Sequence, residues 1–140
     1  MISSQTEMMF NSLGTGGLFI GIFSLLVGGF GIANIMFVSV RERTGQIGIQ
    51  KSLGAKGWFI LMQFLSESVV LCILGGIFGV ILVWVGSLIL YYTVEMELSL
   101  TLSNITLALT MSTFIGIISG FIPSYTASQL DPVEAIRTNI

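Results

Sequence analysis

Histidine does not occur in this sequence, cysteine occurs once, proline twice, and charged residues fill only 9% of its 140 positions. Each shortage removes a class of function. Without histidine there is no zinc site of the usual kind and no His-dependent nucleophile triad. Asp131 is the sole aspartate, so no aspartate pair can work inside an apolar segment. Cys72 alone provides no disulfide framework and reads as a small hydrophobe in an apolar run. Five Lys and Arg cannot build a basic face, which excludes a nucleic-acid partner, and a net charge of −2 names no other. The stretch TGQIGIQKS has the outline of a phosphate loop, but Gln50 stands where the second glycine of G-x-x-x-x-G-K-[ST] belongs. No catalytic apparatus, metal or cofactor is expected.

What remains is apolar. Hydrophobic residues make up 54% of the chain, and a soluble domain carries about 25% charged residues. The few charges are bunched: none lies between Glu7 and Arg41, between Glu67 and Glu95, or between Glu97 and Asp131. Each gap exceeds the roughly 20 residues that cross about 30 Å of hydrocarbon. The fold class expected is all-α, a multi-pass membrane protein with spans at about 13–40, 58–92 and 102–125 and a tail at 126–140. The second segment is too long for one straight crossing, and Gly75-Gly76 is its expected point of flexure. The polar start, with Glu7 and no basic residue, does not read as a secretory signal.

Orientation follows from positive charge. Arg41, Arg43, Lys51 and Lys56 fall between spans one and two, and Arg137 follows span three. The positive-inside rule puts residues 41–57 and the tail in the cytoplasm, with the N-terminus and the 93–101 loop outside. Small residues mark where helices meet. Gly17 and Gly21, Gly75 and Gly79, and Gly116 and Gly120 form one small-xxx-small pair on each span, suited to contacts within the chain or with a second subunit.

In the segment RERTGQIGIQKSLGAKGW, from Arg41 to Trp58, Ile47, Ile49 and Leu53, with Arg43, Gln46 and Gln50 between, suit an amphipathic helix on the inner membrane surface, ended by Gly54. Asp131-Pro132-Val133-Glu134 reads as a helix cap, a first-turn proline and an acidic third position, so a short helix should run through Arg137. Glu67, the one charge inside a span, is expected either at the inner headgroups or paired with Arg41, Arg43 or Lys51, with Gln63 on the same face.

SVRERTGQIGIQKSLGA resembles the S-V-x-E-R-T-x-E-I-G-[ILV]-x-[KR]-A-[LM]-G-A signature of the FtsX-like permease domain of MacB-type ABC transporters. LLVGGFGIANIMFVSV before it, FLSESVVLCILGGIFGVIL after it and the ending IPSYTASQLDPVEAIR resemble the family's flanking helices and close. The likeness covers about residues 15–137 and departs from the pattern at Gly45, Gln46 and Gln50.

The resemblance implies that 41–57 is a coupling helix seated on a separate ABC ATPase subunit. By position Glu42, Arg43 and Thr44 open it, Ile47 and Gly48 sit at its centre, and Lys51, Leu53, Gly54 and Ala55 close it, with Ile47 and Leu53 as apolar anchors. It also implies a dimer with a second permease subunit, a place in the bacterial inner membrane, an extracytoplasmic partner, and export or mechanical transmission driven by ATP hydrolysis. Family permeases have four spans and a large extracytoplasmic domain. This chain is therefore expected to be a split, excised or truncated part. A signalling or scaffold relay controlling an extracytoplasmic enzyme, or an inactive remnant, stays open beside the permease reading.

Overall fold

The computed structural model describes residues 2–95 and 100–137. They form five helices, α1 (Ile2–Glu42), α2 (Thr44–Ser52), α3 (Gly57–Val94), α4 (Leu102–Ser128) and α5 (Pro132–Arg137). No strand occurs among the described residues. Helices α1, α3 and α4 are long and apolar enough to cross a membrane. The chain is an all-α, multi-pass membrane protein. Glu97, one of the two acidic residues expected in the outer loop, lies outside the described residues.

The helices overrun the expected spans. α1 starts at Ile2 rather than near Leu13, and its 41 residues measure about 61 Å at 1.5 Å per residue. Polar residues such as Gln5 and Asn11 do not interrupt the helix. α3 continues unbroken through Gly75-Gly76. Paired glycines weaken a helix in water, but in lipid an opened backbone group finds no solvent, which holds the ladder together. α4 runs past Pro123 to Ser128. The proline lacks an N–H, and its ring is buried beside the equally buried Ser124 and Ala127.

Close contact between spans depends on missing side chains. Ser112, Gly116 and Gly120 recur every four residues along one face of α4, turned to α3. A Cβ on Gly116 would stand 2.9 Å from Val69 Cα and 3.0 Å from Cys72 Cβ, and one on Gly120 would overlap Ser68. Across the same seam, a Cβ on Gly76 would collide with Ser112. The Ser68 hydroxyl donates to the carbonyls of Leu65 (2.8 Å) and Gly116 (3.0 Å), so one proton links the two helices. Such interhelical bonds contribute about 0.6 kcal/mol on average in lipid. A second face of α4 meets α1, where a Cβ on Gly29 would lie 2.9 Å from Ser119 Oγ. By contrast Gly17, Gly21, Gly75 and Gly79 face open space within the chain.

The buried core lies at one end of the bundle. Met36 and Val40 of α1, Ile47 of α2, Ile60 and Phe64 of α3 and Ala127 of α4 pack together, with Ile32 and Leu130 beside them. Above this end α1 is exposed from Ser4 to Gly28, polar at its start and mainly apolar from about Leu13, where the surface suits lipid or another helix. Packing therefore concentrates where α2 and α5 close the bundle.

Candidate functional site

The sequence of α2 divides it into two faces. Ile47, Gly48 and Lys51 turn inward, while Gln46, Ile49 and Leu53 turn outward at spacings of three and four residues. Its first turn is tied down by the Thr44 hydroxyl, which donates to the carbonyls of Val40 (3.0 Å) and Arg41 (2.8 Å). Only Arg43 separates α2 from α1, yet backbone bonds run through it, from Arg43 N–H to Ser39 O (3.1 Å) and from Ile47 N–H to Arg43 O (3.0 Å).

The helix ends in a Schellman motif. Gly54 N–H donates to Lys51 O and Ala55 N–H to Gln50 O, each at 3.0 Å, and Gly54 sits at φ +98°. That left-handed conformation costs a side-chain-bearing residue about 1–2 kcal/mol, so glycine stops the helix here.

Three polar and steric ties fix α2 to the rest of the bundle. The Arg43 guanidinium donates to both carboxylate oxygens of Glu67 on α3, at 3.1 and 3.3 Å. The Lys51 ammonium donates to the carbonyls of Ser128 and Leu130 (2.7 Å to the latter), at the C-terminal end of α4. Midway, Gly48 lies against α5: a Cβ there would stand 2.9 Å from Ala135 Cβ and 3.3 Å from Pro132 O. α5 itself is capped by Asp131, whose Oδ1 accepts from Val133 N–H at 2.9 Å.

The residues of the expected docking set fall on both faces of α2 and its flanks. Ile47, expected as an outward anchor, is 1% exposed and belongs to the core. Its periodicity is shared with Gly48 and Lys51, and that whole face is covered by α3, α4 and α5. Gly48 and Lys51 are likewise committed to contacts inside the chain. Glu42, Arg43, Leu53 and Gly54 are exposed, and Thr44 and Ala55 are half-buried. Leu53 is 85% exposed, and Ile49, absent from the expected set, is 55% exposed. Together they form an apolar ridge on a rigidly held helix. The sequence marks Ile49 as one of the three apolar residues of this helix, and the structure puts it on the face of Leu53 rather than of Ile47.

This is a short helix, α2 (Thr44–Ser52), held at both ends. What it offers is a shaped apolar contact with charges on either side. The sequence from Leu18 to Pro132 carrying it matches the family described as FtsX-like permease C-terminal, over residues 18–132. The chain belongs to the FtsX-like permease family.

Several relatives are similar over 118 residues, 84% of this chain. A probable export ATP-binding/permease protein of Pseudomonas fluorescens strain Pf0-1 is 46% identical. The macrolide export ATP-binding/permease protein MacB of Hahella chejuensis is 44% identical, and a probable syringafactin export protein, SyfD, of Pseudomonas syringae pv. tomato is 42% identical. The matched stretch is 18% of each relative's length, so this FtsX-like chain spans less than a fifth of them. Their names join ATP binding to permease work in one protein. In the present FtsX-like chain, α2 lies within the matched region, which ends at Pro132, the first residue of α5.

Proposed function

We propose that this chain is the C-terminal permease part of an ABC-type export system of the bacterial inner membrane, and that α2 docks on an ATP-binding unit. Residues 41–57 and the tail face the cytoplasm in this reading, and the N-terminus and the 93–101 loop face outside, as the placement of Arg41, Arg43, Lys51, Lys56 and Arg137 supports. ATP hydrolysis takes place in the ATP-binding unit, expected as a separate subunit. The three spans carry the resulting motion outward to an extracytoplasmic partner, for export or for mechanical work. The observation that carries the reading is the ridge of Ile49 and Leu53. Two large apolar side chains project from a helix fastened at both ends, as a groove-binding helix requires.

Glu42, Arg43 and Lys56 around the ridge set orientation and on-rate more than affinity. A second permease subunit completes the system. Gly17, Gly21, Gly75 and Gly79, open within one chain, are available to meet it. The test is co-purification from bacterial membranes with the ATP-binding unit. Wild type should retain it, and Ile49→Asp with Leu53→Asp should lose it at least ten-fold while the chain stays folded. An equal yield of the unit with both variants would remove the docking claim.

A further inference from the structure

Lys51 sits on the face of α2 turned away from the proposed docking ridge. Its ammonium reaches the carbonyls of Ser128 and Leu130, where α4 ends and the chain turns toward α5. The last carbonyls of a helix have no partner within it and carry partial negative charge, so a cation there both satisfies and attracts them. The bond spans 77 residues of sequence. It fastens the C-terminal end of α2 to α4, just as Arg43 and Glu67 fasten the other end to α3. α3 and α4 are in turn joined through Ser68, Gly116 and Gly120.

We infer that Lys51 is a positioning residue that makes α2 and α4 move as one body, so that a displacement imposed at Ile49 and Leu53 is delivered to the α4 span rather than absorbed in the turn at 53–56. The inference rests on the docking reading for its input, but the fastening itself belongs to this chain alone. A loss of the ammonium leaves the ridge in place and loosens the link behind it. Binding of the ATP-binding unit should then persist while its motion no longer reaches α4 at full amplitude.

The test places spin labels at Gln46 and Gln129, both exposed, in a Cys72→Ala background of the full chain in nanodiscs with its ATP-binding unit. Distances are read without nucleotide and with a non-hydrolysable ATP analogue. In the Lys51 protein the distribution should be narrow and the same in both states. Lys51→Gln should widen it about two-fold or more and make it shift with nucleotide, with co-purification unchanged, and Lys51→Arg should restore the narrow distribution. A Lys51→Gln distribution as narrow as the original without nucleotide would overturn the inference, and so would a nucleotide-dependent shift in the unmutated Lys51 protein. The latter measurement decides the matter even if Lys51→Gln fails to fold. Failure of the ATP-binding unit to bind at all would strike the docking reading instead, and the nucleotide-free widths would still judge the fastening.

Discussion

Arg43 and Glu67, on opposite sides of the turn between the first two spans, meet through two hydrogen bonds of 3.1 and 3.3 Å. This pair joins the start of α2 to α3. The two side chains are 44% and 34% exposed, and for a pair exposed to this degree the coupling should be about 0.2–1 kcal/mol. Glu67→Lys places two cations together and should lower assembly with the ATP-binding unit and thermal stability. Exchanging the partners, Arg43→Glu with Glu67→Arg, should recover most of the loss in a double-mutant cycle. Zero coupling would mean that the pair holds nothing.

The α3–α4 seam should be intolerant of added bulk. Gly116→Ala must push against the backbone of Val69 and the side chain of Cys72, at an overpacking cost of about 1–3 kcal/mol. Gly120→Ala meets Ser68 and should cost at least as much, partly relieved by Ser68→Ala. Unfolding in detergent, followed by circular dichroism, measures both.

The same change at Gly17, Gly21, Gly75 or Gly79 meets no atom of the chain. The isolated monomer should unfold as wild type does, or slightly later. If these positions meet a second permease subunit, cross-linked dimer in membranes should fall at least two-fold in the same variants.

Gly48 supplies a control for the docking surface. Gly48→Arg must force α2 away from Ala135 and Pro132, so it should lower thermal stability as well as activity. Asp131→Ala, which removes the cap on α5, should cost about 0.5–2 kcal/mol by the same unfolding measurement. Leu53→Asp should leave stability within about 0.5 kcal/mol of wild type, as exposed substitutions do, and lose only the partner.

The legible parts of this protein were those set by local chemistry or by the membrane itself. Three charge-free stretches had to become three spans, Gly54 had to end α2, and Asp131 had to begin α5, because each follows from neighbours within a few residues. The inward face of α2 was not legible in the same way. Ile47 and Ile49 are equally apolar, and which one is buried depends on where α3 and α4 return, since Ile60, Phe64 and Ala127 pack against Ile47. Ser68 carries no signal in sequence, since a serine becomes a bridge only when a carbonyl such as that of Gly116 comes within reach. The true contacts at Gly29 and Gly76 were hidden among many glycines for the same reason: a glycine pattern permits close approach without saying which face is used.

The measurement that bears most directly on the account is site-specific photo-cross-linking in bacterial membranes. A photoreactive side chain at Leu53 or Ile49 should capture the ATP-binding unit, and one at Val70, an exposed position on the membrane span α3, should not. Capture from Val70 with none from Leu53 or Ile49 would contradict the assignment of α2 as the docking helix.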